Sequence, residues 1–142
     1  MTKKELSQLY YLNREIEQLT KQLKDLQQKR KIQGLPYIDT EDIQTEIEDC
    51  KITLKTKQKK AMKEYNRLVK YIDGIDDSLS RQIISLRYIN GLSWKQVAFH
   101  IGGGNTPDSV RKVHDRWLLK NKSQNKNLAF ENIMDTIRLA VQ

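Results

Sequence analysis

Leu9, Leu12, Ile16, Leu19, Leu23 and Leu26 follow one another at alternating steps of three and four residues. Residues at those steps share one helix face, and with every a and d position aliphatic the run is a seam of about three heptads. The rest of that helix is polar, and a polar helix of this length is marginal in water on its own, so the seam requires a partner helix. Thr2, with Glu5 three residues later, reads as the capping box that opens it. Gln33, Gly34, Leu35 and Pro36 then stop it, and Asp39 or Thr40 caps a second helix with Glu41 and Asp42 in its first turn.

That second helix is predicted to run from 40 to 72, with a seam of Ile43, Ile47, Cys50, Leu54, Ala61 and Leu68 and with Lys57 and Glu64 intruding at d positions. The short connection makes an antiparallel, coiled-coil-like hairpin the simplest arrangement. Closure within one chain and pairing with a second copy both satisfy the pattern, and a homodimer through these N-terminal helices is expected. Cys50 is the single cysteine, which suits a reducing compartment and a small buried apolar role. The lysine-rich run Lys55, Lys57, Lys59, Lys60 and Lys63 reads first as a solvated helix face and second as a phosphate-contacting one.

A different pattern begins after the break at Asp73, Gly74 and Asp77. Ser78 or Ser80 is expected to cap a helix carrying Leu79, Ile83, Ile84, Leu86 and Tyr88, which Gly91 ends. Ser93, with Gln96 three residues on, makes a capping box for a short helix bearing Val97, Ala98 and Ile101. Three consecutive glycines, Gly102 to Gly104, remove helix propensity and force a turn. Thr106 is then an N-cap, Pro107 takes the first helical position and Asp108 suits the helix dipole. Val110, Val113 and Trp117 form the expected buried stripe of this third helix, with Trp117 its largest member. The result is a tri-helical unit, its edge sealed by Phe99 or Trp94, that contains a helix-turn-helix with a polar, basic second helix.

Leu86, Arg87, Tyr88, Gly91, Leu92, Ser93, Val97, Ala98, Ile101 and Gly102, followed by Thr106 to Val110 and by Arg116, Trp117 and Leu118, resemble region 4 of sigma-70 factors. The short chain with a helical front half is more similar to ArpU/RinA-type phage transcriptional regulators. The match covers roughly residues 75 to 120, and it departs from the sigma pattern in a longer glycine turn and in Trp117. The resemblance implies a phage or prophage regulator acting on late genes, with RNA polymerase as a second partner beside double-stranded DNA.

Charge points the same way: the net charge is +8 and the pI about 9.5, which favours a polyanionic partner. No apolar run approaches a membrane span and the N-terminus has no apolar signal core, so a cytoplasmic location and no membrane partner are expected. Asn121 to Asn127 reads as a polar linker. Beyond it Phe130, Ile133, Met134, Ile137 and Val141 lie on one face of a final amphipathic helix. The expected domains are therefore 1–73, 74–120 and 121–142, in an all-α chain.

No catalytic constellation stands out, and neither a metal nor a cofactor is expected. His100 and His114 have no ligand partners at suitable spacing, and His114 reads as a half-buried packing residue or a polar contact. The triple glycine lacks the Lys-Ser/Thr of a phosphate-binding loop. In a helix-turn-helix the first turns of the second helix enter the major groove, so Asp108, Ser109, Arg111, Lys112 and Asp115 are candidate base contacts, Arg116 a phosphate contact and the N-cap Thr106 a further DNA-binding candidate. Ser93, Trp94 and Lys95, at a helix N-terminus, are candidate backbone contacts. The function expected is sequence-specific DNA binding in transcription regulation. A DNA-packaging protein of the small-terminase type and a protein-binding adaptor are the alternatives.

Overall fold

The computed structural model of the chain describes residues 1–31 and 40–141, apart from the side chains at 40 and 123–126. The helix stop expected at Gln33 to Pro36 and the cap expected at Asp39 lie outside the described residues. Every element among the described residues is helical: α1 (Lys3–Leu6), α2 (Gln8–Lys31), α3 (Thr40–Asp73), α4 (Ser78–Tyr88), α5 (Trp94–Ile101) and α6 (Pro107–Val141). By contacts the chain divides into one unit of Ser7–Lys70 and another of Met1–Leu6 with Tyr71–Gln142.

In the unit Ser7–Lys70 the two seams meet. Leu26, Ile47 and Cys50 are buried together, and Leu19, Leu23 and Ile43 pack partly buried against them. The Cys50 thiol donates to the Leu19 carbonyl at 3.6 Å, and Lys57 pairs with Glu15 at 3.0 Å. Partners descend α2 as they ascend α3, so the two helices lie antiparallel. Lys57, at its d position, therefore turns a seam defect into an ion pair across the rim. Glu64, the other intruder, pairs along its own helix with Arg67 at 2.7 Å.

In the other unit, the Thr2 and Glu5 side chains cap α1 reciprocally: Thr2 N donates to Glu5 Oε2 at 2.8 Å and Glu5 N to Thr2 Oγ1 at 3.2 Å. Gly74 closes α3, and Asp77 caps α4 in place of Ser78 or Ser80. The Asp77 carboxylate accepts from Ser80 N at 3.0 Å and from the Ser80 hydroxyl at 2.5 Å, and those bonds hold it below its usual carboxylate range. A carboxylate at this position meets the first-turn N–H groups and leaves the buried Ser80 hydroxyl satisfied, which neither serine could do alone.

Ile83 of α4, Val97 and Ala98 of α5 and Val110 of α6 form the core of this unit, with Leu86, Leu92, Trp94, Ile101 and Val113 around it. Two of the sequence expectations for α6 require correction. The run Asn121 to Asn127 is helical and α6 is continuous from Pro107 to Val141. The run holds no Gly or Pro, and polar side chains alone do not break a helix. Trp117 is only half-buried and stands outside the core, edge-on to Tyr71 at 6.0 Å between ring centroids. The place on the stripe expected for Trp117 belongs to His114, which is 1% exposed.

Candidate nucleic-acid interface

α5 begins where Ser93 adopts an extended backbone and caps it. Ser93 N donates to Gln96 Oε1 at 2.9 Å and Gln96 N donates to Ser93 Oγ at 3.2 Å, so the predicted box is complete. Gly102, Gly103 and Gly104 all take positive φ, 68°, 64° and 78°, which is why the turn needs three glycines in succession. A Cβ would meet open space at Gly102 and Gly104, so the requirement is one of backbone conformation alone. Asn105 fastens the turn, its Nδ2 donating to the Gly102 carbonyl at 2.8 Å.

α6 opens with a second reciprocal cap. Ser109 N donates to Thr106 Oγ1 at 3.1 Å, and Thr106 N donates to Ser109 Oγ at 2.9 Å. Ser109 Oγ also lies 2.9 Å from the Thr106 carbonyl. The polar atoms of Thr106 and Ser109 are thus committed to holding the helix start. Ser93 is committed in the same way at α5.

Beyond the cap, Asp108, Arg111, Lys112, Asp115 and Arg116 fall at i, i+3, i+4, i+7 and i+8 and so share one face of α6, and all five are exposed. Three cations against two carboxylates leave that arc at +1. Arg111 pairs with Asp108 at 2.7 Å, with both side chains more than half exposed, so the pair is easily exchanged for another partner. Lys112 and Arg116 have no ion-pair partner among the described residues. On α5, Lys95 is exposed. Trp94, expected as a backbone contact, is instead turned inward, because its position lies on the same stripe as Val97 and Ala98. It packs on the core, meets His114 edge-on at 4.8 Å, and carries the Arg87 guanidinium over its ring at 4.5 Å.

His114, expected as a half-buried packing residue or a polar contact, packs in the core and is more deeply buried than expected. Its Nε2 lies 2.5 Å from the Tyr88 hydroxyl and its Nδ1 2.9 Å from Asp115 Oδ1. A carboxylate only accepts, so Nδ1 carries the hydrogen and Nε2 accepts from Tyr88. Burial depresses the His114 pKa below its ordinary value, partly opposed by Asp115, while burial raises Tyr88 to about 12. Both rings are therefore neutral at neutral pH, and Asp115 is tied by one oxygen to the core beneath it.

Of the two rings expected at the edge of the tri-helical core, Trp94 packs there and Phe99 does not: Phe99 is 84% exposed on α5 with Lys95 one turn before it. The signal was present, since Phe99 is off the stripe formed by Val97, Ala98 and Ile101. No family model matches the chain, and neither a curated protein nor a solved structure does. Among the described residues no helix is long and apolar enough to cross a membrane, and no group of His, Cys, Asp or Glu is placed to hold a metal ion.

Proposed function

We propose that the chain is a sequence-specific DNA-binding transcriptional regulator in which α5 and α6 form a helix-turn-helix and the first turns of α6 enter the major groove. The observation that carries the reading is the two-sidedness of α6 between Pro107 and Arg116. Val110 and His114 lock one side into the core, and the opposite side presents Arg111, Lys112 and Arg116 with Asp108 and Asp115. A helix with exposed cations beside its capped N-terminus can present paired donors to guanine, Arg111 by exchanging its exposed pair with Asp108, and its carboxylates can accept from cytosine N4. Lys95, Lys112 and Arg116 are suited to phosphates. The resemblance to sigma region 4 and to ArpU/RinA-type phage regulators supports the same assignment, with RNA polymerase as a further partner and the cytoplasm as the site of action.

In this reading α2 and α3 form an antiparallel hairpin that satisfies its own seam, because Leu19, Leu23 and Leu26 already face Ile43, Ile47 and Cys50. On this proposal the seam, which fits closure within one chain and pairing with a second copy alike, is used within one chain. Thr106, Ser109 and Ser93 orient the contacting helices through their caps, and Trp94 acts through packing.

Selection of bound duplexes from random DNA, followed by titration of the best one, tests the proposal. With about five phosphates neutralised, log affinity should fall against log salt with a slope near −4 to −5. Arg111→Ala should relax preference at one base position, at a cost of about 1 to 3 kcal/mol. Binding without sequence preference, or without salt dependence, by the folded protein would refute it.

A further inference from the structure

We propose that residues 127–141 of α6 pair antiparallel with the same segment of a second copy of this chain. Residues 127–141 are exposed throughout, including Phe130 at 64%, Ile133 at 58%, Ile137 at 50% and Val141 at 81%. Phe130, Met134, Ile137 and Val141 step by four, three and four, which makes them the d, a, d and a positions of a heptad seam.

The residues beside that seam select the partner and its direction. Ile133 and Ala140 fall at g, and Glu131 and Arg138 at e. Antiparallel helices set e against e and g against g. In a two-fold pair Phe130 therefore meets Val141 and Met134 meets Ile137, each twice. Glu131 then faces Arg138 on the partner copy, and Ile133 faces Ala140, so charge meets opposite charge and apolar meets apolar on both flanks. A parallel pair would instead set Ile133 against Arg138. Both charged groups are available: Arg138 reaches Asp135 only at 3.8 Å, and Glu131 has no ion-pair partner among the described residues. A segment that complements itself in charge and register fits a second copy of the chain better than an unrelated helix. The surface is separate from the exposed arc of α6 assigned to DNA and stands whether or not that assignment does.

Sedimentation equilibrium of the full chain over a range of micromolar concentrations tests the pairing. The wild type should dimerise, and Ile137→Asp should raise the dimer Kd by ~100-fold or more, since it places a charge at the centre of the seam. Residue 137 is exposed in the single chain, so the variant should keep its circular dichroism and, when monomeric, its melting midpoint. Arg138→Glu should also weaken the dimer, and Glu131→Arg combined with Arg138→Glu should restore it, because the pair is then reversed on both copies. A wild type that stays monomeric to ~100 µM would overturn the proposal. So would a dimer indifferent to Ile137→Asp, which would move association to another surface, or a double charge variant no tighter than the single one.

Discussion

The two halves of α6 are one continuous helix with opposite fates. The half from Pro107 to Lys120 is mostly polar, yet it buries Val110 and His114 almost completely. Residues 127–141 hold Leu128, Phe130, Ile133, Met134, Ile137, Leu139 and Val141, and every one is exposed. Hydrophobic content therefore does not decide burial. The first half is buried because α4 and α5 stand against it, brought there by two tight turns of fixed geometry. The second half has a seam that stays exposed.

The most severe way to break this contrast is to place one charge in each half. Val110→Asp should cost more than about 4 kcal/mol, since an unpaired carboxylate is forced into an apolar core. Ile133→Asp, measured by denaturant unfolding at a concentration too low for self-association, should stay within about 0.5 kcal/mol of wild type. Equal losses at the two sites would mean that the distal half is covered after all.

His114 sharpens the contrast through pH. Its folded pKa lies below its unfolded value, so as pH falls the unfolded chain takes up the proton first. The stability that neutral His114 provides is thus full above the unfolded pKa of about 6.5 and declines below it, by at most about 1.4 kcal/mol per pH unit until the folded pKa is reached. Urea midpoints should be flat from pH 8 to 7 and fall toward pH 5, and His114→Leu should abolish most of that slope. A slope unchanged in the variant would assign the titration to another group.

Trp117 marks the edge between the halves. As a half-buried ring set edge-on to Tyr71, it should cost about 1 to 2 kcal/mol on truncation to alanine, well below the loss expected of a core tryptophan. A thermal shift as large as that of Ile83→Ala would return Trp117 to the core. A loss at the lower end of that range belongs to the start of the helix, where Thr106→Ala should lose about 1 kcal/mol with its cap. Calorimetry should find the Ser93→Ala loss at α5 to be similar, since both caps are built the same way.

Much of this was legible in the residues. Capping signals are local, so Ser93 with Gln96 and Thr106 at the head of α6 cap where the spacing put them; Thr2 with Glu5 also forms its box, but the helix it opens ends at Leu6 and the seam helix α2 starts separately at Gln8. The aliphatic seams predicted which faces of α2 and α3 meet, because a three-four spacing fixes a face whatever the partner. The errors fall where an outcome depends on what stands opposite. The stripe through Val110 was right in direction but gave its deep position to Trp117, because size and apolarity ranked the ring above His114. The choice turned on the Tyr88 hydroxyl across the core, which offers a buried imidazole the partner that makes its burial tolerable. Trp94 and Phe99 both stood as candidates for the edge of the core, and only Trp94, on the stripe it shares with Val97 and Ala98, packs there. Polarity alone makes the Asn121 to Asn127 run look like a linker, yet the run has no Gly or Pro to stop the helix, which continues through it.

Sequence alone determined that the chain is helical, where most of its helices start and stop, and which residues lie on each face. These follow from hydrogen-bond geometry, propensity and 3.6-residue periodicity within a few turns of chain. Tertiary structure decided which of those faces are covered, which ring fills the core beside Tyr88, and which polar atoms of the candidate interface are tied up in caps or in the core. Each of those outcomes depends on the distance to an atom far away in the chain, and no local pattern encodes that distance.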